Sequence, residues 1–162
     1  MGLDMYLYRE TYIGAEFEHR NVKGKVDITI NDVPVDIDMK KISSIKEHVG
    51  YWRKANQIHQ WFVQNVQDGE DNCAYYHVGE SKLKELLEEV EKVLASKGTP
   101  QEEYVVNEFL PSSDGFFFGS DYSADPEWYW LQMDNTKQIL TEVLNTAKST
   151  DSWVDYYYQS SW

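Results

Sequence analysis

GYWRKANQIHQWFV, residues 50–63, sets four aromatic side chains, an Arg-Lys pair, an asparagine and a histidine within fourteen positions. Trp52, Ala55, His59, Phe62, Val63 and Val66 recur at i, i+3, i+4 and i+7, with Ile58 at the margin of the stripe. That spacing predicts an amphipathic helix from about Trp52 to Gln67, bracketed by Gly50 and the DGEDN run. On such a helix Arg53, Asn56, Gln57 and Gln60 form a polar stripe beside the aromatic one. An arginine pairs with carboxylate or phosphate through a planar fork and stacks on aromatic faces. Tyr51, Trp52, Arg53, Asn56 and His59 are therefore candidates for contact with a ligand or partner. The plainer account is a packed helix with an ordinary solvent face, in which His59 is a hydrogen-bonded core residue.

Working outward, MGLDMYLY alternates. Leu3, Met5 and Leu7 fall on one side and Asp4, Tyr6 and Tyr8 on the other, as in a half-buried strand. KVDITINDVPVDI reads as two short strands about an Asn-Asp turn, with Val26, Ile28 and Ile30 on one face and Pro34 placing the second strand at an edge. We expect this hairpin to cover the sheet. Leu83, Leu86, Leu87, Val90, Val93 and Leu94 form one stripe, predicting a helix over 81–95 with Ser81 as its N-cap and SKGTP as its stop. WYWLQM, 128–133, alternates like a strand. Asp134 can cap a helix running to about Lys148, with Ile139, Leu140, Val143, Leu144 and Ala147 inward. WVDYYYQSSW reads as a final strand. Strands near both ends with helices between them predict an α+β fold: one domain, 1–162, with a small, mostly antiparallel sheet and about three packed helices.

The composition narrows the function. The chain has 28 acidic and 15 basic residues, a net charge of −13, and residues 98–162 hold eleven acids against two lysines. Such a field repels phosphate, which argues against duplex nucleic acid and anionic membrane and favours a protein with a basic surface. A small anionic ligand in a locally basic pocket is also compatible. Mean hydropathy is −0.63, so much of the apolar mass comes from six Trp and twelve Tyr, which combine large contact area with a polar atom. Cys73 is the only cysteine. An intrachain disulfide is impossible, which fits a reducing cytoplasm. The start lacks the features of a signal peptide, and no run approaches the ~20 apolar residues of a membrane helix.

Motifs for named chemistry are missing from the sequence. Cys73 and His77 have no second ligand pair at zinc spacing. Asp68, Glu70 and Asp71 lack the glycine and glutamate of a calcium loop. Neither phosphate-binding glycine pattern occurs, and there is no G-x-S-x-G. We therefore assign no catalytic residue, metal or cofactor. GFFFGS, 115–120, stands out because three consecutive Phe cannot all face one core from a strand. Phe117 is the candidate for an exposed contact, unless both faces are covered.

MGLDMYLY, GYWRKANQIHQWFV with VQDGEDNC, the Leu-rich helix and LPSSDGFFFGS occur together in this order. The combination resembles a family of small, largely uncharacterised proteins encoded by bacteriophages and prophages. The resemblance covers most of the chain and implies an accessory protein expressed in the cytoplasm of a bacterial host. Its leading functional implication is a non-enzymatic binding protein that inhibits a host factor, such as a defence factor, through an acidic surface. The alternatives are a binder of a small nucleotide-like ligand using the Tyr51–His59 stretch, and an enzyme with an unrecognised active site.

Overall fold

The computed structural model describes residues 2–15, 17, 19, 28–113, 115, 118–147 and 153–162. Among them are six strands and four helices: β1 (Asp4–Tyr12), β2 (Ile28–Ile30), β3 (Val33–Val35), β4 (Ser44–Arg53), α1 (Asn56–Asn65), β5 (Tyr76–Val78), α2 (Glu80–Ser96), α3 (Glu102–Phe109), α4 (Pro126–Ala147) and β6 (Val154–Ser161). The main sheet has the order β4-β1-β6-β5, and every pairing is antiparallel. The fold is α+β. Helices cover one face of the sheet, and among the described residues no helix covers the other, the open face.

The alternation expected at the start is present. Leu3, Met5 and Leu7 are fully buried, and Asp4, Tyr6 and Tyr8 point the other way. β1 is central because both of its edges are paired: with β4 on one side, Tyr6 opposite Tyr51, and with β6 on the other, Tyr8 opposite Tyr157. A bulge at Val49 shifts the β1–β4 register between Leu7 and Tyr8.

The stretch 50–63 corrects the expected helix. Residues 44–53 form a strand, and the helix begins at Asn56. Gly50 and Trp52 are buried while Tyr51 and Arg53 are exposed, which is the two-residue period of a strand. Trp52 is in the core as expected, but it reaches there from β4, where its indole N–H donates to Thr136 Oγ1 at 2.9 Å. The helical spacing from Trp52 to Ala55 arises because strand and helix present their buried residues to the same core. Lys54 breaks the chain between them with φ of 54° and donates its N–H to the Leu3 carbonyl.

The expected strand at 128–133 is also corrected. α4 runs unbroken from Pro126 to Ala147, burying Tyr129, Trp130, Met133, Leu140, Val143 and Leu144. Its start is set by Asp125, whose carboxylate accepts from the Trp128 N–H at 3.0 Å, and by Pro126 in the first turn. Asp134, expected as the cap, lies exposed within this helix. α2 follows its predicted stripe, with Leu83, Leu86, Val90 and Val93 buried and Leu87 and Leu94 partly so. Its N-cap is Gly79, not Ser81. α3, β5 and most of β4 have no counterpart among the expected elements. The helices number four where about three are expected.

The hairpin forms about the Asn31-Asp32 turn, with φ of 50° and 64° at those two residues. It makes its own two-stranded sheet, and all six strand residues are exposed, so the expectation that it covers the main sheet is corrected: its strands bury no face against it. Val26 and Lys148 lie outside the described residues. One core joins Leu3, Met5 and Leu7 to Trp52, Phe62 and Tyr158, and to the apolar stripes of α2, α3 and α4. No helix among the described residues is long and apolar enough to cross a membrane.

Candidate functional site

The register fixes what the open face of the sheet carries. Odd-numbered β1 residues point inward, so the even ones and their cross-strand neighbours form a grid of rows. Arg53, Asp4 and Ser161 make the first row. Tyr51, Tyr6 and Gln159 make the second. His48, Tyr8, Tyr157 and His77 make the third. Lys46, Glu10 and Asp155 make the fourth, and Ser44 with Tyr12 lies beyond it.

The rings of this grid touch. Tyr6 lies 5.5 Å from Tyr51 and 6.2 Å from Tyr8 between ring centroids. Tyr75, from the loop before β5, stacks on Tyr157 at 4.6 Å with 12° between planes. The Lys46 ammonium sits 4.0 Å from the centroid of Tyr8 and 4.1 Å from that of Tyr75. This is a cation held between two aromatic faces. At the Asp4 end, the Tyr51 hydroxyl donates to Asp4 Oδ1 at 2.5 Å, and Arg53 Nε lies 4.0 Å from the same oxygen. The hydrogen bond to Asp4 and partial burial push the Tyr51 phenol above its usual range.

The six residues singled out from sequence do not share one surface. Tyr51 and Arg53 are on the open face, where the Arg53 side chain remains 62% exposed. Trp52 points to the opposite side and is buried. Asn56 is also buried. Its Nδ2 donates to the Ser120 carbonyl at 3.0 Å and its Oδ1 accepts from the Ser113 N–H at 3.0 Å, pinning Ser113 and Ser120 to α1. Phe117 lies outside the described residues. Its neighbour Phe118 packs against the rings of His59 and Trp162.

His59 is the hydrogen-bonded core residue that its position on the apolar stripe suggests. It is 2% exposed, with Nδ1 2.8 Å from the Tyr158 hydroxyl and Nε2 3.0 Å from Asp71 Oδ1. One assignment satisfies every group: the Tyr158 O–H donates to Nδ1, and Nε2–H donates to Asp71. Burial depresses the His59 pKa, and the Asp71 carboxylate opposes that shift without overcoming it. Burial likewise raises the Tyr158 phenol well above its usual value. The ring is neutral at physiological pH and ties α1 to β6 and to the 68–72 loop. Among the described residues no three His, Cys, Asp or Glu side chains converge to hold a metal ion.

No family model matches the chain, and neither a curated protein nor a solved structure matches it.

The sequence reading placed Tyr6 and Tyr8 opposite the buried positions of β1 but did not connect them to Tyr51, Tyr75 or Tyr157. The alternation of Trp153, Asp155, Tyr157 and Gln159 in the last strand is the signal that could have added β6 to the same face.

Proposed function

We propose that this protein is a non-enzymatic binding protein that engages a protein with a basic surface through the open face of its sheet. The observation that carries the reading is the grid itself: Tyr6, Tyr51, Tyr75 and Tyr157, packed around the buried Tyr8 and displayed with Asp4, Glu10 and Asp155 on a face that no described helix covers. Tyrosine supplies wide contact area at small cost in conformational freedom and is favoured at the centres of interfaces. The surrounding negative field steers cationic partners and disfavours polyanions. Together with the resemblance to phage and prophage proteins, this supports an accessory role in a bacterial cytoplasm, with a host factor as target and its inhibition as outcome.

Capture from a bacterial lysate, with mass spectrometry of retained proteins, tests the reading. The parent protein should retain a protein with a basic face. Tyr51→Ser combined with Tyr75→Ser, both at exposed positions, should abolish capture at a temperature where circular dichroism shows the variant folded. Equal capture by that variant would refute the open face as the binding surface. An aromatic sheet face can also stack single-stranded bases, so direct binding of bare RNA or DNA at physiological salt would count against the reading.

A second reading rests on the adjacency of Tyr51 and Arg53. A guanidinium beside tyrosine rings can take a planar anionic group, such as that of a nucleotide-like ligand. Arg53→Lys keeps the charge and loses the fork. Calorimetric titration with nucleoside monophosphates should then show weakened binding on a protein of unchanged stability.

A further inference from the structure

β1 and β6 place Glu10 directly opposite Asp155 on the open face. Like charges at directly opposed positions repel, while Lys46 stands opposite Glu10 on its other side in the same row. The two carboxylates line a cleft of about 320 Å³ whose walls include Tyr12, Trp153 and Tyr157. Ser44 donates to one Glu10 oxygen at 2.5 Å, and His77 Nε2 lies 3.4 Å from Asp155 Oδ1. Trp153 is 74% exposed, so a flat indole surface stands at the mouth. Tyr157 belongs both to this cleft and to the stack with Tyr75, against which Lys46 already holds its ammonium.

Two carboxylates between aromatic walls are complementary to a cation with a flat, weakly hydrated face. Guanidinium meets that description better than ammonium, because it pairs with carboxylates in the plane of its fork and stacks on rings through its face. We propose that the cleft between β1 and β6 is a subsite for the guanidinium of an arginine side chain on the partner. This rests on the reading of the open face as the binding face and names the chemistry that the face selects. A partner arginine entering the cleft brings a positive charge between the opposed carboxylates of Glu10 and Asp155. Lys46 on the adjacent rings shows that the same surface accommodates a cation against tyrosine.

The test is an NMR titration of the intact protein with N-acetyl-arginine amide as the probe and N-acetyl-citrulline amide as its neutral isostere. The arginine compound should shift the Trp153 indole N–H and the Glu10 and Asp155 amides, saturating in the millimolar range, and the citrulline compound should not. Glu10→Gln with Asp155→Asn should weaken the arginine titration by about tenfold or more, the loss expected when charge-assisted hydrogen bonds become neutral ones. Trp153→Ala, at an exposed position, is the second variant and should weaken it several-fold. Equal shifts with citrulline, or an arginine titration unchanged in both variants, would overturn the proposal. Lysate capture separates the two readings. A partner lost from Tyr51→Ser/Tyr75→Ser but fully retained by Glu10→Gln/Asp155→Asn overturns the arginine subsite and leaves the binding face standing. Arginine binding that both substitutions of the cleft abolish, with capture unaffected in every variant, keeps the cleft as a guanidinium site and removes the binding face.

Discussion

Gly50 packs directly against α4, and replacing it with alanine measures how tightly the two layers fit. Gly50 sits in β4 opposite Leu7, facing the core. A Cβ built there would lie 2.7 Å from Ile139 Cγ2, 3.2 Å from Leu7 Cβ and 3.3 Å from the Trp52 ring. Ordinary contact begins at 3.4 Å, so the Ile139 methyl is short by about 0.7 Å. That methyl is attached at a β-branch and cannot swing away without moving the helix or leaving its rotamer. Overpacking of this kind costs about 1–3 kcal/mol. Removing a glycine from the unfolded chain returns about 0.4–1 kcal/mol. Overpacking wins, and Gly50→Ala should destabilise the fold by about 1–2 kcal/mol. Ile139→Ala removes the offending methyl, so the double variant should be less destabilised than the sum of the singles by about 1 kcal/mol or more. Urea denaturation of all four proteins, with unchanged slopes, gives the cycle. A Gly50→Ala protein as stable as the parent, or strict additivity, would refute close packing of β4 on α4.

Other outcomes follow from the same structure. Phe62 is fully buried and stacks on Tyr158 at 4.0 Å, so Phe62→Ala should cost about 3–5 kcal/mol by denaturation. A loss under about 1 kcal/mol would contradict its place in the core. His59 has a depressed pKa in the folded state, so the unfolded chain binds its proton more readily. Its contribution is full above the unfolded value of about 6.5 and declines as pH falls below it toward the folded pKa. Melting temperatures of the parent and His59→Gln between pH 8 and 5 should show a steeper decline for the parent. Glu10→Gln keeps an acceptor for Ser44 and removes both the repulsion from Asp155 and the attraction to Lys46 on the other side, so stability should stay within about 0.5 kcal/mol of the parent, which thermal unfolding would check. Association with the captured partner should slow as salt rises, because screening removes electrostatic steering.

The parts of the fold legible in sequence are those with one dominant period over a long enough run. Leu3, Met5 and Leu7 alternate without interruption, and Leu83 to Leu94 keep a helical stripe over three turns. The helix expected from about Trp52 to Gln67 fails at its start because a strand residue, Trp52, and residues of α1 and its caps, Ala55, Phe62 and Val66, reach one core at spacings that also suit a single helix. At 128–133 the large aromatics masked the helical period, although Asp125-Pro126-Glu127 carried the start signal of a helix. β5 has three residues and α3 has eight, too few for periodicity to speak. Most of β4, SIKEHV, is an edge strand with exposed charges, so it lacks the apolar alternation that marks a buried one. The site was legible only piecemeal. Tyr51 and Arg53 stood out for the right chemical reason, a cation beside aromatic rings, but were placed on a helix. Their neighbours Tyr6 and Asp4, and the opposition of Glu10 and Asp155, depend on strand register between segments distant in sequence, which a single chain does not reveal.

The aromatic grid and the carboxylate pair bear on function differently. Tyrosines on a sheet face stabilise it through cross-strand contacts, and Tyr75 on Tyr157 or Tyr6 beside Tyr51 do so here. Their presence alone is therefore explained by folding as well as by binding. His59 is similar: its bonds to Tyr158 and Asp71 tie three segments together, and that role accounts for every atom of the ring. Glu10 opposite Asp155 differs, since the two carboxylates gain nothing from each other and are held instead by Ser44, Lys46 and His77 around them. Proteins accept local conflicts of this kind mainly where a site requires them. The strongest pointer to binding on this sheet is thus its row of opposed carboxylates, and the tyrosines around it supply the rigid surface on which a partner's cation can be met.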